Sequence, residues 1–79
     1  MATSVIVFSS SHCGPCKLVK DYLKRKGIAF TTKEVDKDRQ SLIEMVQHYQ
    51  SQTTPTTIIN GKIVIGFNRN RIDKLLGFL

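Results

Sequence analysis

Two cysteines, the only ones in a 79-residue chain, stand three positions apart in the stretch SSHCGPCK, at Cys13 and Cys16, with Gly14 and Pro15 between them. Three chemistries use such a pair: half of a metal clip, a structural staple, or a centre for thiol–disulfide exchange. As a staple the pair is weak, because so short a loop removes little entropy from the unfolded chain when it closes. As a metal site it lacks the usual second pair of ligands, so a Cys2His2 set would have to draw on both histidines. His12 adjoins Cys13, which makes joint tetrahedral ligation awkward. His48 falls about 160–240° from the apolar stripe of its predicted helix, on the solvated side.

Exchange chemistry asks for a thiolate held at a helix start, and the flanking pattern supplies one. Residues 4–9 (SVIVFS) are apolar and β-branched and read as a strand buried on both faces. Directly after the cysteines, KLVKDYLKRKG reads as a helix ending at Gly27. At about 100° per residue, Leu18, Val19, Tyr22 and Leu23 share its apolar face, with Lys17, Lys20, Asp21 and Lys24 opposite. Cys13 therefore falls at or just before the first turn and Cys16 inside it. Unpaired N–H groups and the helix dipole make that point partly positive, which holds a thiol below its ordinary pKa. Lys17 adds charge close by. Pro15 costs no hydrogen bond in the first turn and presets φ, and Gly14 leaves the approach to the Cys13 sulfur uncrowded. Cys13 is then the exposed nucleophile and Cys16 the resolving thiol behind it. The exchange needs no metal and no organic cofactor, since the redox group is the Cys13–Cys16 disulfide itself.

The elements that must position this pair follow from periodicity. Residues 29–35 (AFTTKEV) read as a second strand, made parallel to the first by the helical crossover. DKDRQ is a polar loop, and SLIEMVQHYQ a second helix with Ser41 and Glu44 as its capping box and Leu42, Val46 and Tyr49 as its stripe. TTPTTIINGKIVIGF reads as a hairpin turning at Asn60-Gly61 between two β-branched runs. NRNRIDKLLGFL closes the chain as a short helix with Ile72, Leu75, Leu76 and Leu79 facing inward. The order is βαβαββα: an α/β fold with a four-stranded mixed sheet, three helices covering both faces, and a single domain over residues 1–79.

Composition bounds the partners. At 41% hydrophobic and 23% charged the chain is ordinary for a small globular domain with a modest core. Its net charge of +6 favours acidic surfaces. There is no arginine-rich run, no RNA-binding signature and no internal repeat, so no nucleic acid is expected. The first ten residues lack a basic leader, and their apolar run is too short for a secretory core or a membrane span. The expected compartment is the cytoplasm, with no membrane partner, where a Cys-x-x-Cys is catalytic or metal-binding rather than structural.

Four features, spread over nearly the whole chain, carry a family resemblance: VIVFSSSHCGPC, the βαβαββα order, TTPTTIINGK with Pro55, and IGFNRNRIDKLLG. Together they resemble the thioredoxin superfamily, and within it the small glutaredoxin-like redoxins, including the NrdH-type hydrogen donors for ribonucleotide reductase. The resemblance implies that Pro55 is the cis-proline facing the cysteine pair and that the Thr54 backbone pairs with the substrate beside Cys13. It implies a monomeric dithiol electron carrier for protein disulfides, with ribonucleotide reductase or a peroxiredoxin-like protein as candidate substrates. Thioredoxin reductase is the implied electron source, with glutathione as the alternative. Gly14-Pro15 is the thioredoxin-type pair where glutaredoxins usually have Pro-Tyr, and His12 stands where thioredoxins have tryptophan. Asn68 replaces the acid of the turn with which glutaredoxins hold glutathione. The Gly14-Pro15 pair and the missing acid at Asn68 imply a potential of about −270 mV rather than about −200 to −230 mV.

Several residues keep two readings. His12 favours the Cys13 thiolate when protonated, or is a solvated loop residue. Lys17, Lys20 and Lys24 dock an acidic partner, or form a solvated face whose charge Asp21 offsets at i±3 and i±4 spacing. Tyr22 and Tyr49 read as core, and Thr53 and Thr54 as substrate-contacting. A rival from another class is a non-enzymatic docking or metal-holding module with an incidental Cys-x-x-Cys.

Overall fold

The computed structural model describes residues 4–77. In chain order it forms β1 (Val5–Ser9), α1 (Gly14–Arg25), β2 (Thr31–Glu34), α2 (Arg39–Ile43), β3 (Thr56–Ile59), β4 (Lys62–Ile65) and α3 (Arg69–Leu76). A π-helical turn, Glu44–His48, continues α2. The four strands form one sheet in the order β2-β1-β3-β4. β1 runs parallel to β2, from Ile6 opposite Thr31 to Ser9 opposite Glu34, and antiparallel to β3, from Val5 opposite Ile59 to Phe8 opposite Thr56. The expected βαβαββα order and mixed sheet are both present.

β1 is central because its side chains are apolar on both faces, and alternate residues of a strand point opposite ways. Val5 and Val7 pack with Val19, Tyr22 and Leu23 of α1, Ile59, Val64, and Ile72 of α3. Phe8 packs on the other side with Val35, Met45 and Ile58. Thus α1 and α3 cover one face and the α2 segment the other. Leu75 and Leu76 are partly buried against the first cluster; Leu79 lies outside the described residues. The hairpin turn has Asn60 at φ 50° and Gly61 at φ 83°, the paired positive φ values that an Asn-Gly turn matching the sheet twist requires. Asn60 also ties the sheet together: its N–H donates to Ser4 O at 2.8 Å and its Oδ1 accepts the Ser4 N–H at 2.9 Å.

Four expectations are corrected. β2 is shorter than residues 29–35. Leu18 is not on the buried face of α1; it is 51% exposed, and the buried set is Cys16, Val19, Tyr22 and Leu23. By ~100° per residue Leu18 lies about 110° from the centre of that set, beyond Tyr22. The N-cap of α2 is Asp38 rather than Ser41: its carboxylate accepts the Gln40 N–H at 3.1 Å and the Ser41 hydroxyl at 2.8 Å. Glu44 turns instead to Lys33, at 2.6 Å. Leu42 is 41% exposed, while Ser41 and Met45 are buried. The helix starts earlier than the capping box implied, and the π turn shifts the phase that a 3.6-residue period assumes.

Candidate active site

Cys13 is the N-cap of α1, in extended backbone, and Cys16 stands in the first turn. The two are joined in a disulfide with Cα atoms 5.2 Å apart. The Cys16 backbone N–H donates to Cys13 Sγ at 3.1 Å. One of the donors that a helix start leaves unpaired is therefore aimed at the outer sulfur, where Ser or Asp oxygens commonly sit. Cys13 is half-buried and Cys16 is 1% exposed. Gly14 and Pro15 are exposed beside them, and Pro15 lies in the first turn, where its missing N–H leaves nothing unpaired. No side chain crowds Gly14: a Cβ placed there meets no atom within 4 Å.

The Thr54–Pro55 peptide is cis, as the resemblance implied. Thr54 is half-buried, and the Pro55 ring is fully buried. The structure joins this segment to the cysteine loop through Ser10 Oγ and Thr54 Oγ1, 3.1 Å apart. Two further ties hold it from behind. Gly66 N–H donates to Pro55 O at 2.9 Å. The Thr56 hydroxyl donates to Thr53 O at 2.6 Å and lies 2.6 Å from the Ser51 hydroxyl. Ser51 and Thr56 are both buried, so the bond between their hydroxyls is shielded from water and helps fix the loop's shape.

His12 and Lys17 are exposed. Among the described residues neither side chain makes a hydrogen bond or ion pair. His48 is exposed, edge-on to Tyr49 at 4.5 Å between ring centroids. Lys20, expected on the solvated face, is half-buried and pairs with Glu34 at 3.7 Å. Asn68 is the N-cap of α3, its Oδ1 accepting the Arg71 N–H at 3.2 Å. Among the described residues no group of three histidine, cysteine or acidic side chains is arranged to hold a metal ion, and no helix is long and apolar enough to cross a membrane.

Sequence reasoning missed Asp36. Its Oδ2 accepts the Ser11 N–H at 3.0 Å, anchoring the turn that enters Cys13. Hydrogen bonds from Ser11, side chain first and then backbone, hold the Asp36 carboxyl below the usual aspartate range. The signal was the parallel pairing itself: strands that run together deliver the residues after them to the same end of the sheet. A carboxyl with a lowered folded pKa stabilises fully above its unfolded pKa and loses that contribution as pH falls through its folded pKa. The anchor is therefore expected to release only below the ordinary aspartate range. In an NMR titration the Asp36 carboxylate carbon and the Ser11 amide should move together with one midpoint under the normal aspartate value. In Asp36→Asn the Ser11 step should vanish, and a Ser11 step persisting there refutes the anchor.

A family model described as glutaredoxin matches residues 5–64. The chain is 37% identical to the glutaredoxin-like 8.6 kDa protein in the rubredoxin operon of Clostridium pasteurianum, over 89% of this chain and 93% of that one. A crystal structure of a thioredoxin-like protein superposes with a TM-score of 0.88 at 32% identity, covering 91% of this chain and 99% of that one. The glutaredoxin of Methanosarcina mazei Go1 superposes with a TM-score of 0.81 at 36% identity, covering 95% of this chain and 79% of that one.

Proposed function

Because the chain belongs to the glutaredoxin family, we propose that it is a dithiol–disulfide oxidoreductase that carries electrons to protein disulfides through Cys13 and Cys16. The observation that supports this best is the Cys16 N–H directed at Cys13 Sγ, with Cys16 itself covered. In the reduced protein a Cys13 thiolate keeps that donor and the helix dipole, which lower its pKa from the ordinary thiol value.

Cys13 thiolate attacks one sulfur of the substrate disulfide and forms a mixed disulfide, and the first substrate thiolate leaves. Cys16, as thiolate, then attacks the Cys13 sulfur. The Cys13–Cys16 disulfide forms, the second substrate thiolate leaves, and two electrons have passed to the substrate. The half-buried Thr54 is the residue whose backbone receives the substrate strand. Pro55 acts through its place in the chain, because its ring is covered. Gly14 and Pro15 form the exposed lip over which substrate approaches. Lys17 acts on Cys13 only as nearby positive charge, and His12 does so only when protonated.

Electrons reach the disulfide, in this reading, from thioredoxin reductase, as for an NrdH-type donor, in the cytoplasm. The support is the thioredoxin-type Gly14-Pro15 pair and Asn68, whose side-chain oxygen is engaged in capping α3. The glutaredoxin family model favours glutathione as the second reading. Supplying NADPH with either thioredoxin reductase or glutathione plus its reductase, and following reduction of an insulin-type disulfide, separates them. Turnover is expected with the first couple. Turnover with glutathione alone would transfer the assignment to the second.

A further inference from the structure

We propose that the groove between α1 and the start of α3 is a docking site for an acidic segment of the partner polypeptide, one that carries an aliphatic or aromatic side chain beside its carboxylates. The inference rests on the reading of Cys13–Cys16 as an exchange centre and names the kind of protein that centre serves. The groove is about 370 Å³, lined by Leu18, Tyr22, Arg25, Lys26, Phe67 and Arg69. Both walls begin at the active site. Leu18 and Arg25 lie about 7.5 and 18 Å beyond Cys13 along α1, at ~1.5 Å rise per residue. Phe67 follows Gly66, whose N–H is bonded to Pro55 O. A substrate strand lying over Cys13 and Thr54 therefore has its continuation led into this groove.

The lining has an apolar floor and a cationic rim. The Phe67 ring meets Tyr22 edge-on at 5.8 Å, and Leu18 is 51% exposed at the end nearest the cysteines. The Arg69 guanidinium and the Lys26 ammonium lie 5.5 and 5.6 Å from the Tyr22 ring centroid. No acid lines the groove. Asp73 touches its wall, but its carboxylate accepts the Tyr22 hydroxyl. Among the described residues neither Arg25 nor Arg69 has a carboxylate within 4 Å, although Asp21 stands one turn before Arg25. Two guanidinium groups without a carboxylate partner beside an exposed leucine complement carboxylates flanking an apolar side chain. The chain's net charge of +6 draws the same partner from a distance.

Single-turnover reduction by the pre-reduced protein tests this without choosing an electron source. The probes are bis(2-hydroxyethyl) disulfide and two peptides with one internal disulfide each, flanked by leucine and either glutamates or glutamines. The wild type should reduce the glutamate peptide about tenfold faster than the glutamine peptide, with the ratio falling as salt rises. Arg25→Glu/Arg69→Glu should bring the ratio to about one or below and leave the hydroxyethyl probe unchanged. Arg39→Glu/Lys62→Glu, which removes the same charge from elsewhere on the surface, should keep most of the preference. Equal loss in both double variants, or retention in both, overturns the groove. If the wild type fails to reduce even the hydroxyethyl probe, the exchange reading falls on its own. Titration of the labelled protein with a cysteine-free glutamate–leucine peptide then decides the groove. Amide shifts at Leu18, Tyr22 and Phe67 support it, and their absence overturns it.

Discussion

Cys13→Ser is expected to abolish disulfide reduction, whereas Cys16→Ser should still attack substrate and stop as a covalent adduct. This is the largest effect expected of any substitution. A nucleophile must reach a bulky protein disulfide, and of the two sulfurs only that of Cys13 belongs to a residue with substantial exposure. The remaining thiol in Cys13→Ser lies inside the first turn of α1 and cannot start the exchange. In Cys16→Ser the first step is intact, but no internal thiol is left to resolve the mixed disulfide. Loss of turnover by several orders of magnitude is expected in Cys13→Ser. Non-reducing electrophoresis with an oxidised protein substrate should show the adduct only with Cys16→Ser, and trapped partners can be identified from the same band. An adduct with Cys13→Ser instead would reverse the two roles and remove the helix-terminus argument beneath them.

Phe8→Ala is expected to cost about 3–5 kcal/mol, the usual range for deleting a buried aromatic ring. Phe8 has no exposed surface. It packs with Val35, Met45 and Ile58, stands 5.7 Å from the Tyr49 ring and lies under the Lys33 ammonium at 5.8 Å. It thus joins the central strand to the α2 segment through Met45 and Tyr49. A domain of this size has roughly 4–12 kcal/mol of stability in total, so the variant should be near or past its unfolding midpoint at 25 °C. Leu42→Ala, at an exposed position one residue from the buried Ser41, should change stability by only about 0.5 kcal/mol or less. Urea denaturation of the two variants tests the corrected face of α2 directly. Similar losses in both would restore Leu42 to the core.

What could be read from the sequence was what local chemistry dictates. A β-branched run apolar on both faces gave the central strand, Asn60-Gly61 gave the hairpin, and the Cys-Gly-Pro-Cys spacing gave the helix start. Features that depend on distant register were not legible. Asp36 reaches Ser11 because β1 and β2 end side by side. Thr54 reaches Ser10 because β1 and β3 pair through Phe8 and Thr56. Neither partner carries a motif of its own. Leu18 failed for another reason. It sits at the margin of the α1 stripe, where the neighbouring segment, not the helix, decides whether a side chain is covered. The turn Glu44–His48 failed because its wider winding breaks the period on which the stripe of α2 was drawn.

The position of β1 between β2 and β3 has a consequence for the order in which the molecule assembles. β1 is the first strand made, yet one of its two ladders must wait for residues 56–59. A nascent chain that has emerged only as far as α2 can form the parallel β1–β2 unit with α1 across it. It then exposes the β3-facing edge of β1, with the cysteine loop hanging from its end. The cis-proline segment arrives with the strand that closes that edge, joined to Thr56 in sequence. Pairing β3 with β1 and facing Thr54 toward the Cys13 loop are therefore one event. Until it happens the thiols are present without the Thr54–Pro55 segment beside them, so on the proposed reading the substrate-receiving surface is acquired only with the β1–β3 ladder.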